Sequence, residues 1–268
     1  TNNLANFVIG NGSYGIISSG VGTTNIVNNS SNVTIGDNSV FIYSSDTGGT
    51  ITNSANLSST SNGIYGLYGA GTIVNNNSID FSTGIGNVGI YTTNGGNATN
   101  YSTISVGGSN ASTNSYGIGM VADNGAKAYN DNAIGGGAVI NVSGIGSVGM
   151  YAKGLGSKVV NNGTINLNQS GTIGMYIEDN AIGTNNGLIT TTGSGTNTVT
   201  GVVLKTGGTL ENYGKIYIDT TNGSGILNSG GTVANYGTIT ISGLDTVVER
   251  IPNSSTASAG GGSTTISV

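Results

Sequence analysis

Apolar and polar residues alternate along most of the chain in short runs. Ile165-Asn166-Leu167, Ile216-Tyr217-Ile218 and Ile239-Thr240-Ile241 show the pattern clearly. A period of two is typical of a β-strand with one buried face. Clusters of Gly, Asn and Ser separate the runs, and these residues favour tight turns. The pattern therefore predicts many short strands joined by turns, with almost no helix.

A Gly followed by an apolar residue, and often by Tyr, recurs along the chain. Gly149-Met150-Tyr151 and Gly174-Met175-Tyr176 are the clearest of nine copies, and one copy has Phe41 in place of Gly. Successive central residues lie 26, 25, 23, 30, 30, 25, 27 and 24 positions apart. A period of this length indicates a repeat architecture. The central residues are Ile16, Ile42, Leu67, Ile90, Met120, Met150, Met175, Val202 and Ile226.

An Asn recurs at a second point of the period. It lies two residues after a position that is often apolar, and an apolar residue follows four residues after the Asn. Val159-Val160-Asn161 to Ile165 is one copy, and the copy near Asn28 reaches Val33, one residue out of register. Identical Asn side chains stacked in register can hydrogen-bond amide to amide, and Asn tolerates the left-handed backbone of a sharp bend. The predicted structural ladder consists of Asn53, Asn75, Asn100, Asn130, Asn161, Asn185, Asn212 and Asn235.

One repeat of roughly 26 residues holds two or three strands, as does one coil of a solenoid. The sequence therefore predicts an all-β fold, a right-handed parallel β-helix of about nine to ten coils. A barrel or a sandwich also consists of short strands, but neither requires Asn at one point of a long cycle. At about 4.8 Å per coil the rod would be roughly 45 Å long. We assign residues 1–245 to coils, and residues 246–268 to a degenerate last coil or the start of a following segment.

The Tyr of the Gly-apolar-Tyr element has a phase that can be deduced. The apolar positions two before and two after the central Met define an inward face, which directs the Tyr outward. Ile17, Val121, Val203 and Leu227 occupy the same phase and complete one outer stripe. The Tyr either only stack along the axis or form a binding surface, since Tyr rings suit sugars and proteins alike. The candidate binding stripe is Tyr43, Tyr68, Tyr91, Tyr151 and Tyr176.

Two coils are 30 residues long, those on either side of Met120. The excess is expected at residues 110–114 and 134–137, as loops that leave the rod on one side. Insertions in solenoids build binding faces or are tolerated decoration, and both interpretations stay open. The candidate loop residues are Asn110, Ser112, Asn114 and Gly136.

Composition limits the chemistry that the chain can perform. The 268 residues include 50 Gly, one Pro, and no Cys, His or Trp. Disulfides, thiolate metal sites and the commonest general base are therefore excluded. Six Lys plus Arg against eleven Asp plus Glu leave no basic patch for phosphates, so we expect no nucleic-acid binding. We also expect no cofactor and no metal site. The calcium-binding nonapeptide repeat is absent, so no bound Ca²⁺ is implied.

Carbohydrate-active β-helix enzymes resemble this architecture, and they need two or more carboxylates that converge on a groove. The eleven carboxylates of this chain fall at different phases of the repeat. Asp123 with Lys153, or Glu178 with Asp179, are expected to meet near one corner without forming a catalytic pair. We therefore expect no enzymatic activity.

The pattern Gly-x-Val-x-Asn-x-Gly-x-Ile, best seen from Gly231 to Ile239, resembles the passenger domains of bacterial autotransporters. With the elements at Gly149 and Gly174, it is most similar to the large autotransporter adhesins of fusobacteria. The resemblance covers about 16–241 and concerns scaffold positions, so it identifies no binding residue. Residues after Leu244 depart from the pattern.

The resemblance implies type V secretion and an extracellular location on the bacterial surface, tethered through a C-terminal outer-membrane barrel that this chain lacks. The implied function is adhesion to a protein or glycan on host cells or other bacteria, with no membrane contact from this segment itself. Two alternatives stay open. One is a purely structural stalk whose binding site lies elsewhere, and the other is a carbohydrate-active enzyme.

Overall fold

The computed structural model describes residues 1–20, 22–132, 137–192 and 198–242, together with the backbone of three strands between residues 247 and 267. The part of the chain that it describes forms 31 short strands. Successive strands belong in turn to three parallel sheets, called here sheets 1, 2 and 3. Every third strand therefore returns to the same sheet, one turn further along the axis.

Sheet 1 contains strands in which every second side chain points into the interior. Ile216 and Ile218 are fully buried, whereas Lys215 before them is exposed. This alternation is the pattern that the sequence predicts. The strands of sheet 1 are β1 (Asn6–Ile9), β4 (Asn32–Ile35), β7 (Leu57–Ser58), β10 (Ile79–Ile85), β13 (Thr103–Gly108), β16 (Val139–Val142), β19 (Thr164–Leu167), β22 (Leu188–Thr191), β25 (Lys215–Asp219), β28 (Thr238–Ser242) and β31 (Ser263–Ser267).

Sheet 2 contains the Gly-apolar-Tyr elements. Its central residues Leu67, Ile90 and Met120 lie opposite one another in consecutive turns and are fully buried. The strands of sheet 2 are β2 (Tyr14–Ser18), β5 (Val40–Ser44), β8 (Tyr65–Gly69), β11 (Val88–Thr92), β14 (Ile118–Asp123), β17 (Val148–Lys153), β20 (Ile173–Glu178), β23 (Thr200–Leu204), β26 (Ser224–Asn228) and β29 (Val247–Arg250).

Sheet 3 contains the strands that precede the recurring Asn. The strands of sheet 3 are β3 (Asn25–Asn28), β6 (Thr50–Asn53), β9 (Thr72–Asn75), β12 (Asn97–Asn100), β15 (Lys127–Asn130), β18 (Lys158–Asn161), β21 (Ile182–Asn185), β24 (Thr209–Asn212), β27 (Thr232–Asn235) and β30 (Thr256–Ser258). Ile51 and Asn53 are both buried in one of them, so the Asn has the inward phase of its strand.

The predicted fold class is confirmed. The protein is an all-β parallel β-solenoid of about nine turns with about 25 residues per turn. Within the described ranges the helical content is a single 3-10 turn, Ala111–Thr113. The last three strands, β29, β30 and β31, pair in parallel with the preceding strands of their sheets. The boundary placed at residue 245 stays a prediction.

Aliphatic side chains of all three sheets fill the interior. Ile104, Ile140 and Ile165 lie one above another in consecutive turns of sheet 1 and are fully buried. Burial of one such side chain contributes about 1.5–3 kcal/mol. A single turn has no partner layer for its apolar face, so the stack of turns is the unit of stability.

Sheet 2 departs from simple alternation at its Gly. Gly149 and Met150 are both fully enclosed, and a Cβ on Gly149 would lie only 2.6 Å from the carbonyl oxygen of Gly174. Val148 is buried at 7% exposure, but it lies outside the main core cluster and lines a cleft on the outer side beside Tyr151. The prediction that the residue two before Met faces inward is therefore wrong, because the Gly adds a second inward position to the strand.

A continuous row of Asn side chains occupies the corner between sheets 3 and 1. The Nδ2 of each member donates to the Oδ1 of the next at 2.7–3.0 Å. The Nδ2 of Asn53 also donates to the carbonyl of Ala55 at 2.8 Å, which satisfies its second N–H. The row consists of Asn2, Asn28, Asn53, Asn75, Asn100, Asn130, Asn161, Asn185, Asn212 and Asn235.

The row includes all eight Asn that the sequence singles out and two more, Asn2 and Asn28. Asn28 lies directly opposite Asn53 in the sheet. The prediction that the copy at Asn28 is out of register is therefore wrong. Val33 also pairs in register, with Leu57, so the extra residue of this copy lies in the turn between Asn28 and Val33. The members from Asn28 to Asn212 are fully buried, so the row acts as a polar seam inside the corner.

Candidate functional site

The parallel register of sheet 2 brings the stripe identified in the sequence into one line on the outer surface, called here the tyrosine column. Tyr68 lies opposite Tyr43 on one side and Tyr91 on the other. Val121 separates these three Tyr from Tyr151 and Tyr176. In order along the axis the column is Ile17, Tyr43, Tyr68, Tyr91, Val121, Tyr151, Tyr176, Val203 and Leu227.

The rings on the two sides of Val121 are arranged differently. The ring centroids of Tyr68 and Tyr91 are 4.7 Å apart, and their planes differ by only 5°. The centroids of Tyr151 and Tyr176 are 5.6 Å apart, with planes at 63°. Parallel rings cover one another's faces, whereas the second pair forms an open angle. Ring faces are therefore more available at Tyr151 and Tyr176.

A second outward column runs beside the tyrosine column. Tyr65, Val88, Ile118 and Val148 lie opposite one another in consecutive turns and line clefts on the outer side of sheet 2, where Val88 and Val148 are only 5% and 7% exposed. The ring of Tyr65 contacts the ring of Tyr91 edge to face, with centroids 6.0 Å apart. These residues face outward because the Gly that follows each of them shifts the phase of the strand. The outer side of sheet 2 therefore carries a second column of side chains that the sequence does not indicate.

The long turn between β13 and β14 forms a loop beside this face. Asn110 caps the 3-10 turn, since its Oδ1 accepts a hydrogen bond from the N–H of Ser112 at 3.0 Å. Asn110 and Ser115 also exchange two backbone hydrogen bonds, at 2.7 and 3.0 Å. Asn114 has a left-handed backbone with φ of 52°. These local bonds close the loop and place Tyr116 against the tyrosine column.

The candidate loop residues have different positions. Asn110 and Ser112 hold the loop together and are exposed, and Asn114 lines a cleft on the outer face. Gly136 lies outside the described residues. Sequence reasoning missed Tyr116, whose side chain is 44% exposed. The available signal was an aromatic residue at the end of an insertion.

Two clefts flank Tyr116. The first has a volume of about 250 Å³ and is enclosed mainly by the rings of Tyr65, Tyr91, Tyr116 and Tyr151. Val121 also lines this cleft and is only 2% exposed. The second has a volume of about 330 Å³ and is lined by Tyr116, Ile118, Val148, Tyr151, Tyr176 and Glu178.

Carboxylates at the ends of the sheet 2 strands hold two of the Tyr hydroxyls. The Tyr91 hydroxyl donates to Asp123 Oδ2 at 2.9 Å, and the Tyr151 hydroxyl donates to Glu178 Oε1. Burial, and then the bond to the carboxylate, raises the pKa of both Tyr well above the usual value. Burial also raises the pKa of Tyr176. The neutral phenol is therefore the form that this face stabilises.

The same strand ends carry a short row of charges. Lys153 lies between Asp123 and Glu178 in the register of sheet 2. The Lys153 ammonium is 3.8 Å from Glu178 Oε1 and 3.8 Å from Asp179 Oδ2. With three carboxylates and one ammonium, this edge of the face has a net negative charge.

A second pair of Tyr lies on another side of the solenoid. Tyr213 and Tyr236 follow the Asn row, and their rings stack with centroids 5.0 Å apart and planes 12° apart. Both are 52% exposed. Because they are exposed and stacked but lie away from sheet 2, they serve as a control pair for substitutions in the tyrosine column.

The described ranges contain neither a cluster of metal ligands nor a membrane-spanning helix. No three His, Cys, Asp or Glu side chains there lie close enough together to hold a metal ion. None of the helices in those ranges has the length and apolar character needed to span a membrane.

A family model described as the BigA third pectate lyase-like domain matches residues 68–172. The matched segment includes the inserted loop with Tyr116, and also Tyr91 and Tyr151, but neither Tyr65 nor Tyr176. BigA is a bacterial autotransporter-like adhesin, so the match fits a passenger domain and suggests a bacterial surface protein. No curated protein and no solved structure matches the chain. The finer similarity to fusobacterial adhesins stays a prediction.

Proposed function

We propose that the chain is a segment of a surface-displayed bacterial adhesin that attaches through the outer face of sheet 2 and the loop at 109–117. The observation that carries this proposal is the convergence of Tyr65, Tyr91, Tyr116 and Tyr151 on one cleft. Tyr provides a large, rigid contact area with a polar tip, and it is enriched at binding surfaces. The match of residues 68–172 to an adhesin domain supports the same function.

The inserted loop adds a second line of support. Its 3-10 turn, Ala111–Thr113, has no buried residue, so it contributes nothing to the core. The loop is nevertheless ordered by the bonds of Asn110, and it ends with Tyr116 on the tyrosine column. Ordering an exposed segment costs conformational entropy. A loop that is ordered without contributing to the core is typical of a binding loop.

In this proposal the segment stands outside the cell, and its partner is a protein or glycan on a host cell or another bacterium. It acts by binding rather than by catalysis. The carboxylates nearest to the clefts, Asp123 and Glu178, already accept hydrogen bonds from Tyr hydroxyls. The chain has neither His nor Cys to serve as base or nucleophile.

A purely structural stalk is the second candidate. The buried Asn row favours it, because a polar seam through the corner stabilises the scaffold and contacts no partner. A stalk does not require the outer face of sheet 2 to bind a partner. The two candidates therefore differ in what that face contributes to adhesion.

Adhesion of beads coated with the 268-residue chain, to host cells and to other bacteria, tests the proposal. The double variant Tyr65→Ser, Tyr116→Ser removes two ring edges from the first cleft and is expected to weaken adhesion about tenfold, as the loss of about 1.4 kcal/mol does. The control Tyr213→Ser, Tyr236→Ser removes two exposed rings from another side and is expected to leave adhesion unchanged. Equal adhesion of both variants would exclude this face, and inert beads would favour the stalk.

A further inference from the structure

The second cleft combines aromatic walls with a carboxylate. Its volume is about 330 Å³, and its lining is Tyr116, Ile118, Val148, Tyr151, Tyr176 and Glu178. The first cleft, by contrast, has no charged residue in its lining. The chemistry of the second cleft is therefore more specific than that of a general hydrophobic contact.

Three Tyr rings surround the space in this cleft. Tyr151 and Tyr176 meet at 63° and form two adjoining walls, and Tyr116 from the inserted loop forms a third. A cation within about 6 Å of a ring centroid is attracted by the negative face of the ring. Because the two centroids are 5.6 Å apart, one cation in the angle between the rings can lie within that range of both.

Glu178 supplies the negative charge of the cleft. Its side chain is 22% exposed, and its Oε1 accepts a hydrogen bond from the Tyr151 hydroxyl. Within the described part of the chain, its Oε2 has no hydrogen-bond partner. The ion pair with Lys153 is 3.8 Å long, and the Lys side chain is 48% exposed, so this pair contributes little and a guest can replace it.

We propose that this cleft binds the ammonium or guanidinium group of a lysine or arginine side chain on the partner protein. The inference rests on the proposed adhesive function and specifies the chemistry of one contact. Charge complementarity selects a cation over a neutral sugar, because Asp123, Glu178 and Asp179 outnumber Lys153 and the whole chain carries −5. Ile118 and Val148 cover the methylene groups of the guest.

Titration of the full chain with small probes, followed by NMR shifts of the Tyr rings, tests this inference. The cationic probes are N-acetyl-lysine methylamide and N-acetyl-arginine methylamide. The uncharged controls are N-acetyl-norleucine methylamide and N-acetylglucosamine. Both cationic probes are expected to bind at least about tenfold more tightly than the norleucine derivative, as charge-assisted contacts do, and their affinity is expected to fall with added salt.

Glu178→Gln removes the charge while keeping an oxygen that accepts the Tyr151 hydroxyl. It is expected to weaken binding of the cationic probes about fivefold to tenfold. Glu211→Gln is the matched control, because Glu211 also lies 3.8 Å from a lysine, Lys158, and accepts a side-chain hydroxyl on sheet 3. Tyr116→Ser changes an exposed loop residue and is expected to weaken binding as well.

The outcomes separate this inference from the proposed function. Equal binding of lysine and norleucine derivatives, no effect of Glu178→Gln, or shifts with N-acetylglucosamine alone would overturn the cation site. Beads that adhere normally with Glu178→Gln, and are not inhibited by the cationic probes, would do the same while leaving the adhesive function in place. Probe binding without any bead adhesion would instead count against the adhesive function.

Discussion

The Tyr91 hydroxyl donates a 2.9 Å hydrogen bond to Asp123 Oδ2 in the following turn. This bond links the tyrosine column to the row of charges at the strand ends. A phenolate at this position would lose the donor and face a carboxylate in a half-buried environment. Burial and the carboxylate therefore both favour the neutral phenol, and the pKa of Tyr91 is raised.

We expect the free energy of unfolding to fall as the pH rises above about 10, the ordinary pKa of Tyr. In the unfolded chain Tyr91 and Tyr151 ionise there, whereas in the folded chain their raised pKa values keep them protonated. Proton release on unfolding then favours the unfolded state as the pH increases. Urea unfolding between about pH 8 and pH 11 measures this slope.

Tyr91→Phe combined with Tyr151→Phe is expected to flatten the slope, because the rings stay and the titrating hydroxyls are gone. Tyr213→Phe with Tyr236→Phe serves as the control on another side and is expected to keep most of it. An unchanged slope in the first variant would show that these hydroxyls do not govern alkaline stability.

The Asn row is expected to depend on each buried member. Asn100→Ala removes an acceptor for Asn75 Nδ2 at 2.8 Å and a donor to Asn130 Oδ1 at 3.0 Å. Each orphaned buried group costs about 1–3 kcal/mol of unfolding free energy. In Asn186→Ala, the matched control, an exposed Asn–Asn bond of 2.8 Å is lost, and a change below about 0.5 kcal/mol is expected. Similar urea midpoints for the two variants would contradict a stabilising row.

Gly149 is expected to tolerate no side chain. A Cβ there would lie 2.6 Å from the carbonyl oxygen of Gly174 and 2.8 Å from Ile165 Cγ2. Such overpacking of a close backbone approach costs about 1–3 kcal/mol. In Gly20→Ala, the control, the new methyl meets nothing within 4 Å, and thermal unfolding is expected at the wild-type temperature. If Gly149→Ala unfolded at that temperature too, the close approach would not limit this position.

The period and the alternation of the sequence were sufficient to predict the fold and the tyrosine column. Ile140 and Ile165 show why. They occupy the same position in consecutive turns, so both side chains face the same interior. The register of a parallel stack then aligns the other phases automatically, which is how Tyr68 and Tyr91 come together. In this fold, the spacing of residues within one repeat therefore determines which residues meet between turns.

The second outward column and the clefts were not predictable in the same way. Val148 faces outward because Gly149 adds an inward position, and a pattern of apolar and polar residues does not reveal such a backbone irregularity. Tyr116 reaches the column only because Asn110 caps and closes the inserted loop. Its contact depends on loop geometry, which period and phase do not determine.

Shortening the inserted loop is expected to separate stability from adhesion. Asn110 and Ser115 form an antiparallel bridge, so an Asn-Gly turn can replace the four residues between them. Because Ala111–Thr113 has no buried residue, unfolding free energy should change by less than about 0.5 kcal/mol in urea. Bead adhesion should fall, because Tyr116, which lines both clefts, moves with the loop. A loss of stability above about 2 kcal/mol would instead identify the loop as a cover for Ile118, and its binding role would lose its support.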